Sequence, residues 1–348
     1  MEKNIFPEIP AIDTKVQEET RKHLNQLTKP LGSLGQLEEM VIRLAGITSQ
    51  KIPDVSKKAI VVMCADHGVA GEGVSAYPQE VTGLMIQNFI RGGAAINVLA
   101  RQTAAEVCVV DVGSLLIDVP EGVMNRKIRA GTANFMNMPA MEKAEALKAA
   151  ETGLGVVDTL KQEGVRLLAV GEMGIGNTTA GTAIAAVFTK MPVTELTGRG
   201  TGIQEESYRH KIHVIETALH KHQPDPGNPL EVLCKVGGLE IAGMVGCIIG
   251  AAAAQIPVVI DGLISTAAAL IAVKMIPGVR SYLFASHLSA EPAHSILLEE
   301  LGLRPIIDAE MRLGEASGAA LSFPLFDAAV ALSREMATFA DLGLPGPE

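Results

Sequence analysis

The sequence predicts an α/β protein with a doubly wound, mostly parallel Rossmann-like sheet and a small helical subdomain built from both termini. Three observations point there. First, five short apolar runs, Ala59–Cys64, Val107–Val110, Leu167–Val170, Val258–Ile260 and Tyr282–Ala285, read as strands buried on both faces. Second, helix-like segments over 79–101, 140–163, 205–222 and 263–274 alternate with them. Third, each run ends in a polar or Gly-bearing cluster: Asp66-His67-Gly68, Asp111-Val112-Gly113, Gly171-Glu172, Asp261-Gly262 and Ser286-His287. In open α/β sheets ligands bind beyond the carboxyl ends of the strands.

The ends of the chain differ. Residues 12–27 and 33–49 are helical patterns separated by Thr28-Lys29-Pro30-Leu31-Gly32, and 323–342 is a third, with no strand between. The expected division is therefore 1–50 plus 322–348 as the helical part and 51–321 as the α/β part. With 348 residues, 48% of them hydrophobic, a large core is expected. The net charge of −10, without a basic block, and an aromatic content of 3% argue against nucleic acid as a partner. Four scattered cysteines, Cys64, Cys108, Cys234 and Cys247, read as reduced thiols of a cytoplasmic protein, and the N-terminus lacks the apolar core of a secretory leader. Ile241–Ile260 carries no charge, but its Gly and Ala content and Gln255-Ile256-Pro257 favour a buried helix over 240–254 and a strand over 257–261, not a membrane span.

The most informative stretch is Gly171-Glu172-Met173-Gly174-Ile175-Gly176-Asn177-Thr178-Thr179. It leaves a strand and enters a helix-compatible segment at 178–188, so its backbone N–H groups and the helix dipole favour an anion. Glu172 is out of place in a plain phosphate cradle and must face something else. Gly198-Arg199-Gly200-Thr201-Gly202 reads either as a second anion loop or as a flexible connector. Lys211 lies two turns into the helix that follows; it could reach a phosphate or simply be solvated. Around Glu315 the residues are small and apolar, which raises a carboxyl pKa and suits a general base; a helix N-terminal carboxylate is the plainer reading. His287, Glu291 and His294 have the spacing of one helical face, but Pro292 interrupts it, so no metal site is assigned. A Mg²⁺-dependent transferase using pyrophosphorylated ribose is weakened by the single Asp at Asp261-Gly262, and a non-catalytic nucleotide-binding module remains open.

Taken together, the motifs resemble the nicotinate-nucleotide:dimethylbenzimidazole phosphoribosyltransferase family. Thr28–Gly35, Ala65-Asp66-His67-Gly68-Val69, Gly171–Thr179, Gly198–Gly202, Asp261-Gly262, Ser286-His287 and Gly314-Glu315 stand in order along nearly the whole chain. The resemblance implies phosphoribosyl transfer from nicotinate mononucleotide to 5,6-dimethylbenzimidazole, giving α-ribazole 5′-phosphate and nicotinate for the nucleotide loop of cobalamin. It implies a homodimer, no cofactor, Glu315 as catalytic base and Glu172 as a second carboxylate beside the reacting groups. It further implies nucleotide and phosphate contacts from Gly174, Gly176, Asn177, Thr178, Gly200, Thr201, Gly202, Lys211 and Ser286, and base contacts from Tyr77, Met85 and Met173. Some members carry smaller or amide side chains where Tyr77-Pro78-Gln79 and Met85 stand here, so the accepted base is less firmly implied than the reaction.

Overall fold

In the computed structural model residues 5–345 are described; Met1–Asn4, part of the N-terminal stretch read above, and residues 346–348 of the terminal subdomain lie outside them. Six strands, β1 (Lys58–Ala65), β2 (Glu106–Gly113), β3 (Met124–Asn125), β4 (Leu167–Met173), β5 (Val258–Ile260) and β6 (Leu283–Ala285), form one sheet in the order β3-β2-β1-β4-β5-β6. Every neighbouring pair is parallel. A separate parallel ribbon pairs β7 (His287–Leu288) with β8 (Ile307–Asp308). All eight residues of β1 are buried although alternate side chains point to opposite faces, so both faces of the sheet are covered. The strand order reverses between β1 and β4, which places the ligand crevice at the ends of those two strands.

The helices are α1 (Thr14–Asn25), α2 (Gln36–Thr48), α3 (Val81–Arg91), α4 (Ala95–Gln102), α5 (Lys143–Gln162), α6 (Asn177–Thr189), α7 (Val193–Leu196), α8 (Glu205–His222), α9 (Pro229–Val236), α10 (Leu239–Ala253), α11 (Leu263–Met275), α12 (Pro292–Leu301) and α13 (Ser317–Glu335). The uncharged stretch at 241–260 becomes α10, buried against α5, followed by β5. Its glycines let the two helices touch: a methyl group on Gly153 would strike the Gly243 carbonyl, and one on Gly246 the Ala150 carbonyl. Among the described residues no helix is long and apolar enough to cross a membrane. The four cysteines are free, three of them buried, and burial raises all four thiol pKa values.

All five expected strands are present; β3 and the β7–β8 ribbon, two residues per strand, are too short to leave a pattern. Two helical expectations need correction. The segment 79–101 is two helices, because Gly92 (φ +75°) ends α3 in the left-handed region. The segment 323–342 runs instead from Ser317 to Glu335; Ser317-Gly318-Ala319-Ala320 has no polar–apolar alternation to mark it, and Met336 turns extended. α1 packs on α2, α2 on α13, and α13 on α4 and β4, so the last helix carries the termini to the end of the sheet.

Candidate active site

A cavity of about 600 Å³ opens at the carboxyl ends of β4 and β5. Its two ends are chemically unlike. At one end stand three carboxylates. Glu172 is the penultimate residue of β4, and one of its oxygens accepts from the Asn177 side-chain amide. Glu315 projects from a turn in which Gly314 (φ +88°), Glu315 (φ +62°) and Ala316 (φ +64°) are all left-handed. Two non-glycine residues in succession held there store local strain, which is characteristic of functional turns. Gly171 permits the arrangement: a methyl group on it would strike the Ala316 amide nitrogen, so only glycine in β4 lets the Glu315 turn lie against the strand. A methyl on Gly314 would come within 2.5 Å of Glu172 Oε1, so the turn also lies beside the Glu172 carboxylate.

The third carboxylate, Asp261, follows β5 and accepts the Gly318 and Ala319 N–H groups at 2.8 and 3.1 Å, capping the start of α13 directly behind Glu315. Burial pushes the Glu172 carboxyl up to about 8, helped by the charges of Glu240, Asp261 and Glu315 and opposed by the Asn177 bond. It pushes Asp261 up to about 7 despite four backbone N–H bonds. Glu315 is also raised, by burial first and by Asp261, while the Ile96 N–H at the start of α4 (3.3 Å) pulls it back. Three acids in one low-dielectric pocket cannot all be charged near neutral pH, so this end holds protons where acid–base chemistry needs them.

The other end is built of donors. The α6 N-terminus begins at Asn177 after Gly176 (φ +97°), and the Ile175 N–H is tied to Thr82 Oγ1 at 3.1 Å. Lys211 of α8 is fully buried; its Nζ donates to Thr178 Oγ1 (2.9 Å) and to the Gly198 carbonyl (3.3 Å). Burial lowers its pKa to about 8. Thr201 Oγ1 accepts the Ala76 N–H at 2.8 Å, and Arg312 donates to the Gly200 carbonyl at 3.2 Å, so the 198–202 loop is pinned from both sides. Tyr77, Val81, Met85, Met173, Leu263 and Leu313 give the cavity an apolar wall.

His294 does not face a metal. The Ser289 N–H donates to its Nδ1 (2.8 Å), which leaves Nε2 protonated and donating to Thr266 Oγ1 (3.0 Å). Burial lowers it to about 3 and His287 to about 4. Among the described residues no three His, Cys, Asp or Glu side chains are grouped to hold a metal ion.

A family model described as Phosphoribosyltransferase matches residues 9–344. A nicotinate-nucleotide–dimethylbenzimidazole phosphoribosyltransferase of Halalkalibacterium halodurans is 48% identical over 345 residues, covering 99% of this chain and 96% of the relative. The enzyme of that name from Desulforamulus reducens is 51% identical, covering 97% and 96%. The chain belongs to this phosphoribosyltransferase family. A crystal structure of the Thermus thermophilus member superposes with a TM-score of 0.90 at 45% identity, covering 97% of this chain and 100% of that one. As a family member the chain is an enzyme of the glycosyltransferase type, on a mostly parallel α/β sheet flanked by helices.

Of the residues singled out from the sequence, this phosphoribosyltransferase brings Glu172, Glu315, Gly174, Asn177, Thr178, Gly200, Thr201, Tyr77, Met85 and Met173 to one cavity. Lys211 stands just behind it on Thr178, so the solvated reading of that lysine is overturned. Gly176 and Ser286 do not line the cavity: Gly176 supplies the left-handed residue before α6, and Ser286 Oγ bonds His287 Nδ1 at 2.9 Å. Gly202 faces open space. The sequence marks Asp261 and Glu291 only as a lone strand-end acid and a metal candidate. Asn88, in the last turn of α3, also lines the cavity and leaves no signal in the sequence.

Proposed function

We propose that the carboxylate end of the cavity carries out the chemistry and the donor end holds the nucleotide. The reaction is transfer of the phosphoribosyl group of nicotinate mononucleotide to 5,6-dimethylbenzimidazole, yielding α-ribazole 5′-phosphate and nicotinate for cobalamin nucleotide-loop assembly. One ring nitrogen of the benzimidazole attacks C1′ as the C1′–N bond to nicotinate breaks. The bonding pair returns to the pyridinium nitrogen and neutralises it, so the leaving group asks for no acid. The other benzimidazole nitrogen must give up its proton, and Glu315 takes it. Glu172, drawn toward its charged form by the cationic pyridinium, offsets positive charge developing at C1′. Attack from the face opposite nicotinate inverts β to α.

The phosphate is assigned to the N–H groups at the start of α6, the Gly200–Gly202 loop and Lys211, and the flat base to the apolar wall of Tyr77, Met85 and Met173. That wall suits several benzimidazoles, methionine being adaptable. The observation that carries this reading is the meeting of Glu315, Glu172 and the Lys211–Thr178 cluster around one cavity. A homodimer fits the exposed apolar side chains Leu84, Ile90 and Val98 on α3 and α4, and the free thiols fit a cytoplasmic setting. The terminal helices α1 and α2 with the later part of α13 make up the small helical subdomain. The test is incubation of metal-stripped protein with nicotinate mononucleotide and dimethylbenzimidazole. Equal amounts of nicotinate and α-ribotide are expected. No product from folded protein that binds the nucleotide would contradict the reading.

A further inference from the structure

Glu291 lines the cavity beside the 198–202 loop, and the reaction above gives it no task. It precedes α12, where Pro292 fixes the helix start. Its Oε1 accepts the Gly200 N–H at 3.0 Å; its Oε2 is buried without a hydrogen-bond partner. The carboxylate presses on the loop so closely that a methyl on Gly198 would strike Oε2. On the same stretch of backbone sits Lys211, whose Nζ reaches the Gly198 carbonyl and lies 3.5 Å from where a methyl on Gly200 would stand. Carboxylate and ammonium thus share the glycine-rich loop without forming an ion pair. Among the described residues the hydrogen-bond partners of Lys211, Thr178 and Gly198, are both neutral. A buried cation so placed has no counter-charge in direct contact, and a buried carboxylate oxygen without a donor is equally under-satisfied. The Glu291 charge is what opposes the loss of the Lys211 proton. A backbone N–H and a buried lysine beside a Gly-rich loop are the groups a phosphate would take.

We propose that Glu291 is a placeholder for the substrate phosphate: in the free protein its carboxylate holds the Gly200 N–H and offsets Lys211, and the bound phosphate takes over both roles. The inference rests on reading the cavity as a phosphoribosyl site. It makes Glu291 a residue that sets affinity. Its charge keeps the donor end assembled when empty and weakens the grip on every phosphorylated ligand, the ribotide product included, so that product leaves.

Glu291→Gln keeps the size and the acceptor for Gly200 and removes the charge. Calorimetry on the full chain is expected to show nicotinate mononucleotide and inorganic phosphate each binding about tenfold tighter, about 1.4 kcal/mol. Nicotinate riboside, which has no phosphate, is expected to bind as it does to the wild type. Should Glu291→Gln fail to fold, Glu291→Ser removes the same charge and gives the same readout. Weaker or unchanged binding of the two phosphate ligands, or equal tightening of the riboside, would overturn the proposal. The phosphate arm is independent of turnover. A wild type that makes no α-ribotide while the phosphate affinities shift as stated would sink the reaction assignment and leave the placeholder standing.

Discussion

At the Lys211 end of the cavity one buried ammonium is held by two neutral oxygens and a collar of backbone; at the Glu315 end three carboxylates crowd into one pocket, held by backbone N–H groups and the Asn177 amide. Both ends hold charge that water would solvate better, and they differ in how each group is displaced from its ordinary pKa. Burial brings Lys211 down to about 8 and Glu172 up to about 8, so a cation and an acid converge on the same range from opposite sides. The donor end is pre-shaped for a ligand that brings negative charge. The carboxylate end is shaped for one that brings positive charge and a proton to lose. On the proposed reading, a nucleotide with a phosphate at one end and a pyridinium at the other would complete both.

The comparison breaks first at Glu315. Glu315→Gln is expected to lower turnover by about two or more decades, the range for a lost general base. Its thermal unfolding should be nearly unchanged, since the same left-handed backbone is kept. Steady-state rates with both substrates saturating, beside a melting curve, check this.

Next in size is Gly171→Ala. The added methyl meets backbone at Ala316, which cannot rotate away, so the Glu315 turn must shift from β4. A displacement near 1 Å costs on the order of a hundredfold in rate. The measurement is turnover with nucleotide affinity alongside; an active variant would show that the close approach of turn and strand is unimportant.

The donor end gives a different signature. Lys211→Met fills the same space without charge and is expected to weaken nicotinate mononucleotide about 10- to 100-fold, the worth of a charged hydrogen bond. In the wild type, kcat/KM should rise with pH as the raised carboxyl of Glu315 loses its proton. It should fall above about 8 as Lys211 loses its own. Lys211→Arg, always protonated, should remove the falling limb. A pH–rate series on both proteins reads this directly.

The smallest effect is on stability. The Glu172 carboxyl stands at about 8 in the folded chain against 4.5 ordinarily, so between those values the folded state holds a proton the unfolded state has lost. Its stability contribution is complete below about 4.5 and disappears as pH rises through about 8. Glu172→Gln should therefore melt like the wild type at about pH 4 to 5 and a few degrees higher at about pH 8 to 9. A gain that is the same at both pH values would mean Glu172 is not held protonated by its surroundings.

Much of this is legible in the sequence. The strands announce themselves because a sheet covered on both faces demands unbroken apolar runs, as in Ala59–Cys64. Glu172 and Glu315 stand out as acids among glycines. What stays hidden depends on contacts far apart in sequence. Lys211 sits in a helix crowded with Arg209, His210 and His213, which reads as solvated; only the docking of α8 under the 198–202 loop buries it. Asp261 looks like one strand-end acid among several until α13, 57 positions on, lays its first N–H groups on it. Glu291 suggests a metal because two histidines flank it, and its actual neighbour, Gly200, is 91 positions away. Gly171 can be known as small, but not that the Ala316 amide fills the vacant space.

The division of labour between the two ends is tested most directly by measuring, side by side, the dissociation constant of nicotinate mononucleotide and the single-turnover rate at saturation for Glu315→Gln and Lys211→Met. Glu315→Gln is expected to keep the affinity and lose the rate, and Lys211→Met to lose the affinity and keep most of the rate. A Glu315→Gln protein that binds poorly yet turns over normally once saturated would contradict the account.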